Sequence, residues 1–139
     1  MKDLVKSYNM DGKAFIRQSF TDAKALRQTD FPISHYIMNL PASAIEFIDA
    51  FIGLYNRSAA IEQRHAPYLH LYTFTTSDTP EKDILGRMTM LWSLPPNELE
   101  ESRTELSLAF HMVRKVSPKK EMWCVSMKIP LSVLYRSIS

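Results

Sequence analysis

At 139 residues, with 45% apolar and 23% charged side chains and a formal charge of +2, the chain has the balance of one globular domain, which argues against two domains or wholesale disorder. Cys124 is its only cysteine, so no internal disulfide and no cysteine-based zinc site can form, and the mild basicity permits a polyanionic partner without requiring one. No run approaches the roughly 18 apolar residues of a membrane span. Met1-Lys2-Asp3-Leu4 does not begin a secretory signal, so the expectation is a soluble intracellular protein with no membrane partner.

The stretch from Leu4 to Tyr8 reads as the end of a strand, followed by a loop at the Asp11-Gly12 turn signal. Phe15, Ile16 and Phe20 lead into a polar stretch, 21–30, whose Ala23, Lys24, Ala25 and Leu26 suit a short helix of poor amphipathicity. Pro32 then opens Ile33-Ser34-His35-Tyr36-Ile37-Met38, closed by Asn39-Leu40-Pro41, and this pattern predicts a buried strand. After it, Ile45, Ile48, Phe51, Ile52 and Tyr55 recur at three- and four-residue steps, with Ser43 as a cap and Glu46 and Asp49 near the positive end. This predicts an amphipathic helix that contains Gly53, at a cost of about 1 kcal/mol relative to alanine.

Tyr68-Leu69-His70-Leu71-Tyr72-Thr73-Phe74-Thr75 is rich in strand formers and reads as a central strand. Thr79-Pro80-Glu81 supplies a cap, a proline at the first helical position and an early acid, so a helix is expected from Pro80 to about Trp92, stopped by Pro95-Pro96. From Thr104 the alternation Leu106, Leu108, Phe110, Met112 runs to Arg114-Lys115. A second alternation, Trp123, Val125, Met127, Ile129, follows the turn-forming Ser117-Pro118-Lys119-Lys120. Together these predict an antiparallel hairpin that ends an α/β sheet.

Asn39 stands at the carboxyl end of its strand, where open α/β sheets bind ligands, and an amide there presents un-ionised donor and acceptor groups to a planar polar substrate such as a nucleobase. A helix cap or a loop residue is the plainer reading of Asn39, as a simple turn is of Asp11-Gly12. Gly12, Gly53 and Gly86 are too far apart to assemble a dinucleotide fingerprint or a phosphate-binding loop. His35, His65, His70 and His111 show no metal-ligand spacing, so structural or surface roles and no metal are expected. Cys124 lies on a strand between apolar neighbours and reads as inert, while Tyr68, Tyr72 and Phe74 offer base stacking or, more simply, core packing.

Three blocks carry a resemblance. Asn9-Met10-Asp11-Gly12-Lys13-Ala14-Phe15, then Tyr36-Ile37-Met38-Asn39-Leu40-Pro41-Ala42-Ser43-Ala44-Ile45-Glu46-Phe47, then Val113-Arg114-Lys115-Val116-Ser117-Pro118-Lys119-Lys120-Glu121-Met122 resemble the carboxyl-terminal half of eukaryotic and archaeal tRNA (guanine-37, N1) methyltransferases. They come in that family's order and at about its spacing, across nearly the whole chain.

The resemblance implies α/β architecture: a partial class I, Rossmann-like methyltransferase sheet with a terminal antiparallel hairpin. Residues 1–139 would form the carboxyl-terminal portion of one such domain. It implies S-adenosylmethionine as methyl donor and tRNA as substrate. The family's sheet order, 3-2-1-4-5-7-6, would start this chain at strand 3 and leave out strands 1 and 2, the glycine-rich loop, the amino-terminal tRNA-binding domain and the proposed general base. The missing amino-terminal half is thus an implied partner, and strand 4 an exposed edge. A fragment, a truncated product or a split protein is expected, inactive alone.

By the same resemblance Asp11 and Gly12 would hold the adenine of the cofactor. Asn39 would stand at the methyl-transfer site, touching cofactor and positioning guanine, with Leu40 and Pro41 shaping that pocket. Arg114, Lys115, Lys119 and Lys120 suit tRNA phosphates or a solvated hairpin end equally. Family members occupy cytoplasm, nucleus or mitochondrial matrix. Two other readings stay open: a wybutosine-pathway aminocarboxypropyl transferase of related fold, and a non-catalytic remnant that binds a partner chain or tRNA.

Overall fold

A computed structural model describes residues 35–39, 41–42, 44–56 and 60–136. Strand β1 (His35–Met38) is followed by a 3₁₀ helix (Ala44–Phe51), a short 3₁₀ turn (Gln63–His65) and strand β2 (Tyr68–Thr75). Helices α1 (Pro80–Leu91) and α2 (Glu98–Glu101) lead to strands β3 (Ala109–Ser117) and β4 (Lys120–Lys128), and helix α3 (Leu131–Leu134) closes the described chain. The four strands lie in the order β1-β2-β4-β3. β1 runs parallel to β2, and β4 is antiparallel to both β2 and β3. This is the 4-5-7-6 half of the expected sheet, with the hairpin where it was anticipated and β1 at the edge among the described residues.

Period-two alternation in β2 decides which face is covered. Leu69, Leu71, Thr73 and Thr75 are buried, whereas Tyr68, His70, Tyr72 and Phe74 are half-buried. The buried set packs with Tyr36 of β1, Val125 and Met127 of β4, and the inner faces of the helices. Trp92, fully buried, donates its indole N–H to the Ile48 carbonyl at 2.7 Å and so ties the end of α1 to the 3₁₀ helix. Tyr68, Tyr72 and Phe74 therefore line the open face of the sheet, where core packing had been the simpler expectation.

The segment after β1 departs from the expected α-helix. Ile45, Ile48 and Phe51 are all buried, and their three-residue steps eclipse in a helix of three residues per turn. Gly53 lies beyond its end at φ 73°, a conformation that favours glycine, and its N–H bonds the Val133 carbonyl of α3 at 2.8 Å. It redirects the chain toward α3 and carries no helix-interior cost. The expected Ser43 cap lies outside the described residues.

Helix α1 starts at Pro80 as anticipated, but the Thr79 hydroxyl does not cap it. It stops before the proline pair, because Ser93 enters the left-handed region at φ 52°. The Ser93 and Leu94 N–H groups bond the Met90 and Thr89 carbonyls, a Schellman closure. Ser107, at φ 53°, repeats this, its N–H reaching Thr104 and that of Leu108 reaching Arg103. That turn delays β3 until Ala109, although the alternation already includes buried Leu106 and Leu108. In the hairpin, Ser117 pairs with Lys120 around Pro118-Lys119, and register shifts set Val113 and Val116 out of the ladder as bulges.

Candidate functional site

β1 pairs in parallel with the first half of β2, Met38 with Leu71, so the chain that follows β1 runs on beside the carboxyl half of β2. Asn39 follows β1 directly and is exposed. Pro41, two residues on, accepts a hydrogen bond from the Phe74 N–H through its carbonyl at 3.3 Å, which fastens the loop after β1 to the end of β2. Leu40, Asp11 and Gly12, the other pocket and cofactor candidates, lie outside the described residues.

The loop after β2 is fixed by side chains of α1. Thr75 donates its hydroxyl to an Asp83 carboxylate oxygen at 2.7 Å and accepts the Ser77 N–H at 3.1 Å. Arg87, one turn beyond Asp83, reaches the same carboxylate oxygen at 3.0 Å and the Phe74 carbonyl at 2.9 Å. Five residues from three segments thus hold the strand end in one place. Asp83 and Arg87 stand at the i, i+4 spacing of a helical ion pair, the one signal by which the sequence could have revealed them.

Of the four basic candidates, the fold separates one from the rest. Arg114, Lys115 and Lys119 are exposed. Lys120 is half-buried and places its ammonium 4.4 Å from the centroid of the Phe74 ring, where it makes a cation–π contact. Phe74 pairs with Met122, which pairs in turn with Arg114. One end of the sheet therefore carries Asn39 and Pro41 on one side and the basic hairpin on the other, with Phe74 between them.

The histidines expected to be structural include a network. His35 Nδ1 lies 3.0 Å from His70 Nε2, and His70 Nδ1 lies 2.9 Å from the Ser126 hydroxyl, so three strands are bridged. Burial, and then the neighbouring His35, hold the His70 pKa below its ordinary value. His65 and His111 are exposed, and among the described residues no group of three or more His, Cys, Asp or Glu side chains is placed to hold a metal ion. No helix of the described residues is long and apolar enough to cross a membrane. A groove of about 330 Å³, lined by Gln63, Glu98, Glu105 and Leu131 among others, lies near the junction of β4 with α3, away from Asn39.

No protein-family model matches the chain. It is 34% identical over 137 residues to tRNA (guanine(37)-N(1))-methyltransferase of Phytophthora infestans (strain T30-4), covering 99% of this chain and 29% of that protein. The protein of the same name from Schizosaccharomyces pombe (strain 972) is 32% identical over 165 residues, covering 96% of this chain and 36% of its own length. The human one is 33% identical over 137 residues, with 96% and 25% covered. The chain thus spans about a quarter to a third of the length of the curated relatives it matches. Among solved structures, wild-type Trm5b from Pyrococcus abyssi aligns with a TM-score of 0.44 at 18% identity, over 68% of this chain and 24% of that chain.

Proposed function

We propose, from the premise that this chain belongs to the tRNA (guanine(37)-N(1))-methyltransferases and corresponds to their carboxyl-terminal part, that it forms one wall of a site that methylates guanosine N1 in tRNA. The observation that carries the reading is the joining of the Asn39 loop to the basic hairpin through Phe74: the Pro41 carbonyl on its backbone, the Lys120 ammonium on its ring. A base held at Asn39 and the phosphates beside it fit these two halves of one surface.

S-adenosylmethionine, bound with its adenine toward Asp11 and Gly12, would supply an electrophilic sulfonium methyl. The exposed, neutral amide of Asn39 suits this end of the sheet, because it can donate to and accept from a guanine edge without competing for the N1 proton. Its contribution is orientation, which matters when a nucleophile must approach in line. Leu40 and Pro41 shape the pocket, and the hydrogen bond from Phe74 holds Pro41 against the end of β2. Thr75 and Arg87 share one oxygen of the Asp83 carboxylate, which gives that group a structural part at the end of β2. The base that removes the N1 proton belongs to the upstream part, as does the remainder of the cofactor pocket, and this chain alone is inactive.

The test is methyl transfer from radiolabelled S-adenosylmethionine to tRNA with unmodified guanosine 37, with and without the upstream part of a relative supplied as a separate polypeptide. Transfer is expected only with both. In the complemented enzyme Asn39→Ala should lower kcat/KM at least about tenfold, equivalent to about 1.4 kcal/mol. Full activity of Asn39→Ala, or transfer by the 139 residues alone, would overturn the proposal.

A further inference from the structure

In a strand the N–H and C=O of one residue point to the same edge, which is how a paired residue exchanges both bonds with a neighbour. At Phe74 that edge faces the chain that follows β1, because its N–H donates to the Pro41 carbonyl at 3.3 Å. β1 itself has stopped by then: its last pair is Met38 with Leu71, whereas β2 runs on to Thr75. The Phe74 carbonyl therefore has no β1 residue to receive it. Arg87 takes that place, reaching across from α1 to donate its Nη2 at 2.9 Å.

Arg87 is held for this contact. The same Nη2 lies 3.0 Å from Asp83 Oδ2, one turn back on α1, and that oxygen also accepts the Thr75 hydroxyl at 2.7 Å. The Arg87 Nε, by contrast, is buried and finds no acceptor among the described residues. A buried donor left unpaired offsets much of what Nη2 gains, so an arginine here is a poor choice for stability alone. The bond it steadies needs support. At 3.3 Å the link from Phe74 to Pro41 is at the long end for an N–H···O bond, and its direction depends on how Phe74 is fixed.

We infer that Arg87 is a positioning residue for methyl transfer: by fixing the edge of β2 at Phe74 it sets Pro41, and through Pro41 the Asn39 amide that orients the base. It acts only through Phe74 and Pro41. The inference rests on Asn39 being the guanine-orienting residue of the proposed site. An Arg87 that merely held the fold together would be missed equally with and without Asn39.

The experiment compares variants in the complemented enzyme with tRNA carrying unmodified guanosine 37 and radiolabelled S-adenosylmethionine. Arg87→Met should lower kcat at saturating substrates by at least about tenfold while the KM for tRNA stays within about twofold. In the Asn39→Ala background, where the amide is already gone, the same change should lower kcat by less than about twofold more. Arg87→Lys should keep kcat within about threefold of wild type, because one ammonium can make both bonds that Nη2 makes. Arg87→Gln, polar and helix-compatible but too short to reach Phe74, should behave as Arg87→Met and serves if the apolar variant fails to fold. In the 139-residue chain by itself, exchange of the Phe74 amide hydrogen should quicken at least about tenfold in Arg87→Met or Arg87→Gln.

An unchanged kcat, a change confined to KM, a loss as large with Asn39→Ala as without it, no rescue by lysine, or an unchanged Phe74 exchange rate would each overturn the inference. Absence of transfer by the wild-type complemented enzyme removes the functional proposal and the catalytic half of this one with it. Transfer by the wild-type enzyme with unchanged Phe74 exchange in the variants removes this one alone.

Discussion

Two serines do work that glycine does more cheaply. Ser93 and Ser107 both hold positive φ at the ends of helical turns, where a Cβ crowds the following carbonyl. Ser93→Gly and Ser107→Gly should each stabilise the chain by about 0.5–1 kcal/mol, and the two should add, as read from urea unfolding. His70 makes a prediction of opposite sense. Its depressed pKa means that the folded state prefers the neutral ring, so this stability is fully present above the ordinary histidine value of about 6.5 and is lost as pH falls below it, where the unfolded chain takes up the proton first. The thermal midpoint should therefore drop more steeply between pH 7 and pH 5 in the wild-type chain than in His70→Gln. At this scale the sequence was half readable. It marked Asn39 by its place after a strand, but it could not pair His35 with His70, which lie far apart in sequence and meet only through the β1–β2 register.

Elements whose identity is local were the legible ones. β2, β4 and the start of α1 follow from alternation and from Pro80, and all three stand where expected. The 3₁₀ helix was misread because steps of three residues fit either kind of helix, and only the turn at Gly53 toward α3 discriminates between them. The start of β3 was misread because Leu106 keeps its place in the pattern, with its carbonyl accepting the Lys128 N–H, while the turn at Ser107 interrupts the strand. The junction of β2 with α1 carries its own prediction. Asp83→Ala removes the acceptor for Thr75 and Arg87 together and should cost about 1–2 kcal/mol, the range for two hydrogen bonds at a partly exposed charge. Hydrogen exchange in the loop 75–79 should rise with it, because the side chain of Thr75 also anchors the Ser77 N–H.

On the scale of the whole molecule, the basic end of the sheet and the Asn39 loop both contact Phe74, and the part each cation would take in the proposed site can be apportioned. Arg114, Lys115 and Lys119 are exposed, so replacing each with alanine in the complemented enzyme should reduce the salt dependence of tRNA binding by roughly one unit of slope per contacted phosphate. Lys120→Ala should also disturb the Asn39 loop through Phe74, and so change the methylation rate at saturating tRNA. Composition alone could not divide these four, since the difference lies in cross-strand register. The two sides of the sheet differ as well. The outer strand β3 carries bulges at Val113 and Val116 and two exposed cations, Arg114 and Lys115, features that repel a neighbouring strand. Growth of the sheet is thereby blocked on that side, and any polypeptide that completes it must join past β1. Assembly of this kind ends after a single addition, so mixing with excess partner should give a soluble one-to-one complex by light scattering, with no open-ended polymer.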